Sequence, residues 1–147
     1  LPTSVPLEPM TLVLVFRQAS ESLSHPLVGS STRFSGISIE GGRLRIYGNG
    51  QSVGASTART TTGFTITTVR TVAGGTDAYQ YNGGAESTFS FTSSESFNWI
   101  GGMLVLGSPK YFTGTIMELL VWGRSLSSSE LQSVHRALGT KWGISVP

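Results

Sequence analysis

The sequence predicts an all-β sandwich closed by one C-terminal α-helix, and three observations carry that reading. Short runs rich in Val, Ile, Thr, Phe and Tyr recur between glycine-containing turn signals from residue 11 to residue 122, the pattern of many short strands. Charged residues make up 12% of the 147-residue chain, about half the usual share, and Ser, Thr and Gly fill the polar positions instead. Only residues 127–142 join a helix start signal to an apolar stripe at helical spacing. At 38% hydrophobic residues the chain has material for a core, so its uncharged surface does not mean disorder. The length is that of one domain, able to bury roughly 70% of the surface its unfolded form exposes.

Each element can be justified in order. Residues 1–10 hold Pro2, Pro6 and Pro9 and are expected to form an extended N-terminal arm or a linker, with the domain at 11–147. The first residue is leucine, and no charged leader precedes an apolar core. No signal peptide is therefore expected, and the chain reads as processed or as lacking its start. Thr11-Leu-Val-Leu-Val-Phe-Arg17 is apolar on both parities, which suits a central strand covered on both faces. Residues 18–31 are polar around His25-Pro26 and read as a loop. Residues 33–40 alternate, and a parity switch at Ser35-Gly36 predicts a bulge. Gly41-Gly42 turns the chain into Arg43-Leu-Arg-Ile-Tyr47, with Leu44 and Ile46 inward and Arg43, Arg45 and Tyr47 on a wet face. Residues 48–62 read as a surface loop and residues 63–70 as a strand. Gly74-Gly75 turns, Ala78–Tyr81 is extended, and Asn82-Gly83 turns again because both residues tolerate positive φ. Residues 85–91 return as the partner strand. Asn98-Trp-Ile100 ends at Gly101-Gly102, Met103–Leu106 is a short strand, and Gly114–Trp122 is the last.

The helix follows. Ser127 fits the N-cap and Glu130 the third helical position, a capping box flanked by Leu126 and Leu131 at staple spacing. Leu131, Val134, Leu138 and Trp142 form an apolar stripe that must dock on a sheet. Gly139 costs the helix about 1 kcal/mol relative to alanine, and Gly143 is a natural stop.

Several of these motifs resemble the concanavalin A-like (laminin-G-like) lectin and glucanase domains. The stretch from Phe112-Thr-Gly-Thr-Ile-Met-Glu118 through Leu126-Ser-Ser-Ser-Glu130 to Lys141-Trp-Gly-Ile144 is similar to their closing strand and helix. Thr11–Arg17 resembles their opening strand, Asp77-Ala-Tyr-Gln-Tyr-Asn-Gly83 their Asn-Gly hairpin, and Trp99-Ile-Gly-Gly102 their Ile-Gly-Gly element. Gly139 departs from the family, which has a larger residue there, and residues 18–62 match nothing in it. The resemblance implies a two-sheet antiparallel jelly-roll sandwich with one C-terminal α-helix. Such domains occur in secreted and surface-anchored bacterial proteins and in phage virion proteins.

Composition and spacing exclude several chemistries. With no cysteine there is neither a disulfide framework nor a thiolate metal site. The net charge of +2 is scattered, so no basic face for nucleic acid is expected. The longest apolar run is far short of a membrane span. Glycoside hydrolysis needs two carboxylates about 5–10 Å apart. The glucanase branch that the motifs resemble carries them as E-x-D-x-E on one strand. Here Glu118 stands in such a strand, and plain alternation gives it Gly114, Ile116, Leu120 and Trp122 as same-face neighbours, none of them acidic. Glu118 is therefore expected to be structural, accepting from a loop or from an arginine such as Arg70 or Arg124. Serine hydrolase chemistry needs a base and an orienting acid. The chain offers His25, His135 and the single aspartate Asp77, and no G-x-S-x-G elbow is expected. No catalytic residue, metal ligand or cofactor is expected. A calcium ion held by backbone carbonyls is the one metal site that composition leaves open, because the eight acids are dispersed.

What is left is binding. Sugars are recognised by aromatic faces and a few polar groups. Tyr79, Tyr81, Asn82, Trp99 and Tyr111 are the candidate ligand contacts, with Gln80 and Asn98 as polar neighbours; Glu118, Ser127, Glu130 and Trp142 are expected to be structural. The function expected is a non-catalytic attachment or structural module on a virion (capsid decoration, tail or fibre) or a cell surface. It would bind a glycan or a neighbouring protein, copies of itself included; neither nucleic acid nor membrane is an expected partner. The second reading is a carbohydrate-binding module of a larger secreted glycoside-active enzyme. Either places the domain on a virion surface or outside the cell.

Overall fold

The computed structural model describes residues 4–20, 24–48, 51–54, 63–92 and 94–147. Two five-stranded antiparallel sheets face each other. In the first the order is β14 (Gly114–Trp122), β2 (Met10–Gln18), β7 (Thr65–Thr71), β8 (Asp77–Tyr81) and β9 (Ser87–Phe89). In the second it is β11 (Trp99–Ile100), β3 (Ser24–Gly29), β4 (Gly36–Glu40), β5 (Arg43–Gly48) and β6 (Gln51–Gly54). Two short pairs flank them: β1 (Val5–Pro6) with β10 (Ser96–Phe97), and β12 (Gly102–Val105) with β13 (Ser108–Tyr111). The helix α1 spans Ser128–Trp142.

Strand β2 explains the layering. Successive side chains point to opposite faces. Met10, Leu12, Leu14 and Phe16 therefore enter the core between the sheets, where they meet Leu27, Ile37, Ile39, Leu44, Ile46, Val69 and Phe97. Val13 and Val15 face the other way, into a second core with Ile66, Leu126, Leu131 and Leu138. That second core lies under α1, so β2 is covered on both faces as its composition predicts. The capping box is present: Ser127 accepts from the Glu130 N–H, and the Glu130 carboxylate accepts from the Ser127 N–H at 2.8 Å. Val134 and Trp142 complete the buried stripe, and Gly143 stops the helix in the left-handed region at φ 65°.

The structure corrects three sequence expectations. Residues 24–29, read as loop, form β3, because Leu27 and Val28 are both fully buried. Pro26 is tolerated there because the register with β4 slips between Pro26 and Val28, where the ladder is already broken. The predicted bulge at Ser35-Gly36 is instead the point where the loop enters β4. Part of the expected 48–62 loop is strand β6, paired with β5; residues 49–50 and 55–62 lie outside the described residues. Residues 4–10, the described part of the segment expected to be an extended arm or a linker, are seated on the sandwich. Val5–Pro6 pairs with β10, Leu7 is fully buried, and the Thr71 hydroxyl donates to the Leu7 carbonyl at 2.6 Å. Residues 1–3 of that segment are outside the described residues.

Candidate functional site

The five aromatic and amide residues singled out by sequence divide into two groups. Tyr79 and Tyr81 lie between the sheets at 4% and 5% exposure, their rings edge to face at 5.9 Å. Tyr81 presents no face to solvent, and its hydroxyl accepts the Leu44 N–H of the opposite sheet at 3.0 Å. Asn82 holds the β8–β9 turn at φ 47°, with its Oδ1 accepting the Ile66 N–H at 2.7 Å. These three build the scaffold.

Trp99 and Tyr111 are brought together at the edge of the second sheet. Their rings stack at 6.2 Å and 25°, and Tyr111 is 65% exposed. Gly102 makes the stack fit: a Cβ there would meet Trp99 Cε3 at 3.0 Å. Asn98 anchors the platform. Its N–H donates to the Gly29 carbonyl, its Oδ1 accepts the Ser31 N–H at 2.9 Å, and its Nδ2 donates to Ser31 Oγ at 2.9 Å. The loop so clamped carries Phe34, whose half-exposed ring lies over Tyr47 at 4.4 Å. The Tyr47 phenol donates to Glu40 Oε1 at 2.5 Å, and burial together with that carboxylate pushes its pKa up to about 12. Sequence reasoning placed Tyr47 on a wet face and passed over Phe34. The aromatic spacing between residues 34 and 47 has no local signature, since it depends on a loop folding back over β5.

The described carboxylates are committed to structural work. Glu118 accepts from Lys141 Nζ and Trp142 Nε1, each at 2.9 Å, and these contacts hold its carboxyl below the ordinary range. The expected donor was a loop or an arginine such as Arg70 or Arg124, but Arg70 pairs with Glu86 and Arg124 with Glu130. The alternation expected around Glu118 holds for Leu120 and Trp122 and fails before it. The register of β14 slips between Ile116 and Glu118, so Ile116 faces the inter-sheet core while Met117 and Leu120 face the helix. Glu95 pairs with Arg33, and Asp77 is buried, accepting the Val72 and Phe91 N–H groups at 2.8 and 2.9 Å. Burial raises the Asp77 pKa against those two donors.

The histidines and serines follow the same pattern. His25 Nε2 lies 2.6 Å from the Ser20 carbonyl and its ring packs on Phe112. His135 is fully buried with Nε2 2.6 Å from Thr68 Oγ1. Residues Gly50-Gln-Ser-Val-Gly54 do spell G-x-S-x-G, contrary to the expectation that the motif is absent. Its described part is the antiparallel strand β6, with Ser52 opposite Tyr47, and not a strand-to-helix turn. Among the described residues no group of three His, Cys, Asp or Glu side chains could hold a metal ion.

No protein-family model matches the chain, and no curated protein matches its sequence. Solved structures do match its fold. The CBM40 of the Ruminococcus gnavus IT-sialidase, bound to α2,3 sialyllactose, is 16% identical with a TM-score of 0.65, over 90% of this chain and 92% of that one. The botulinum neurotoxin type G receptor binding domain is 14% identical with a TM-score of 0.63, over 88% of this chain and 38% of that one. Botulinum neurotoxin type C, whose cell entry depends on interaction with two ganglioside molecules, is 10% identical with a TM-score of 0.62, over 90% of this chain and 36% of that one. The chain thus spans nearly all of the first and little more than a third of the others. The two facing sheets, the terminal helix and these likenesses together give the chain the concanavalin A-like jelly-roll fold.

Proposed function

We propose that this domain is a non-catalytic carbohydrate-binding module that works outside the cell as part of a larger secreted or surface protein and holds its glycan against the Trp99–Tyr111 stack. The observation that carries this reading is the stack itself: an aromatic pair of half-buried Trp99 and exposed Tyr111, held by Asn98 and Gly102 at the edge of the second sheet, while α1 covers the outer face of the first. Sugars dock their apolar faces on such rings and complete their contacts through neighbouring polar groups. The likeness to a module bound to sialyllactose supports this over the virion reading and makes sialylated oligosaccharides the first ligands to test. The commitment of each described carboxylate to a structural partner supports a binding rather than a hydrolytic role.

The test is a glycan array followed by titration calorimetry. The wild-type domain is expected to retain a glycan, and Tyr111→Ala, at an exposed position, to weaken it about ten-fold or more while the unfolding midpoint holds. Trp99→Ala should weaken it further, at some cost in stability. A folded Tyr111→Ala variant that binds as well as wild type removes the stack from the site.

A further inference from the structure

We infer that the β12–β13 hairpin is a lipid-docking finger that inserts its tip into the interface of an anionic bilayer. Four large hydrophobic side chains are exposed among the described residues, and three of them, Ile100, Leu106 and Tyr111, belong to the segment 99–111. Leu106 is 91% exposed at the very tip, and Ile100 is 47% exposed. Pairing of Val105 with Ser108 leaves Leu106-Gly107 as a two-residue turn, with φ 48° and 79°. Both positions of such a turn need positive φ, for which Asn-Gly is the favoured pair. A leucine there is strained and gains nothing from packing within the domain. A residue that is costly in two ways at one position points to a contact outside the fold.

The hairpin is amphipathic in a way that fits lipid. Gly29, on β3, marks the side that is packed: a Cβ there would touch the Gly102 carbonyl and Met103 Cβ, each at 2.5 Å. Met103 therefore faces the domain. The register puts Leu104, Pro109 and Tyr111 on the other face, with Trp99 stacked beside Tyr111. The tip stands four residues beyond the Gly102–Tyr111 pair, or about 14 Å along the strands. Tyr and Trp favour the headgroup level of a bilayer, and apolar groups that lie in the interface sink roughly 5–10 Å. The geometry thus puts the aromatic pair among headgroups when Leu106 enters the acyl boundary. No acidic residue occurs between Glu95 and Glu118, and Lys110, paired with Met103 but exposed at the rim of that face, supplies a cation that snorkels to anionic headgroups. A protein partner would need about 800 Å² of matched surface on each side. A narrow projecting tip offers little of that, whereas fluid lipid needs no matching shape. Insertion of this kind needs no membrane-spanning segment.

This inference rests on Leu106 and its turn and shares the aromatic pair with the glycan reading, and its test uses vesicle flotation. Wild type is expected to float with vesicles of phosphatidylcholine mixed with phosphatidylserine, and only weakly with phosphatidylcholine alone. Leu106→Asn should weaken flotation roughly ten- to hundred-fold. It should leave glycan binding unchanged and hold or raise the unfolding midpoint, because asparagine suits the left-handed turn. Lys110→Gln should lower binding to the phosphatidylserine vesicles about five-fold and leave the weak binding to phosphatidylcholine untouched. No flotation of wild type, or flotation indifferent to Leu106→Asn, overturns the proposal. So does self-association in sedimentation that depends on Leu106 in the absence of vesicle binding, which would assign the tip to a protein contact.

Discussion

Glu118 sits beside Lys141 and Trp142 because Met117 is an extra residue in β14, and the slip turns the carboxylate onto the helix-covered flank. Its partners come from the last turn of α1, 23 and 24 positions later in the chain. The Lys141 bond first, then the Trp142 bond, hold its pKa below the ordinary value. The sign follows: the pair stabilises the fold above the ordinary glutamate pKa of about 4.3 and is lost as pH falls below it. Glu118→Gln keeps an acceptor for Trp142 and removes only a half-exposed ion pair, so urea melts at pH 7 should show a loss of about 1 kcal/mol or less. The same melts at pH 3 should show a smaller difference. A larger loss at pH 3 than at pH 7 would contradict the assignment. Residue-level legibility divides along the same line. Ser127 and Glu130 could be read from sequence because capping is decided within four residues. The partners of Glu118 could not, because a register slip and a distant helix end decide them. Tyr81 shows the converse failure: an aromatic beside Asn-Gly looks accessible in sequence, and only the opposing sheet buries it.

At the scale of elements, α1 carries an apparent defect that the structure explains. Gly139 is fully inside the helix, where alanine would ordinarily stabilise by about 1 kcal/mol. Here a Cβ would lie 2.7 Å from both the Ile144 carbonyl oxygen and Val146 Cγ2, because the chain folds back over the helix after Gly143. The Ile144 N–H donates to the Gly139 carbonyl at 2.9 Å and holds that return in place. Gly139→Ala is therefore expected to lower the thermal midpoint instead of raising it. In a chain ending at Gly143 the same substitution should be neutral or stabilising, which circular dichroism melts of the two pairs would decide. The hairpin β12–β13 escaped the sequence reading for a related reason. Its return strand Ser-Pro-Lys-Tyr is exposed throughout and its turn lacks the usual asparagine, so neither periodicity nor turn chemistry marks it. Strands β2, β7 and β14 were legible because both of their faces meet apolar layers.

Over the whole molecule, His135 is the point where several parts meet. It belongs to α1, bonds Thr68 of β7, and its Nδ1 faces Gly83 of the β8–β9 turn. Burial lowers its pKa, so the native state holds it neutral while the unfolded chain takes up a proton below about pH 6.5. Its neutral form gives full stability above that value, and stability falls as pH drops until the lowered native pKa is reached. The slope it contributes is at most about 1.4 kcal/mol per pH unit. Denaturation midpoints measured between pH 7 and pH 5 should decline for wild type and decline less for His135→Gln; equal slopes would remove His135 from that role. The jelly-roll itself was legible from its closing strand and helix, whereas the proposed binding surface was legible only as scattered aromatics until the fold put two of them side by side. The bond from the Tyr81 hydroxyl to the Leu44 N–H has one more consequence. The amide of Leu44, on β5, finds its acceptor across the core, in the other sheet. The hydroxyl acts as a dowel between the two layers, and a slip of one past the other by a residue would break it and leave a buried amide without its acceptor.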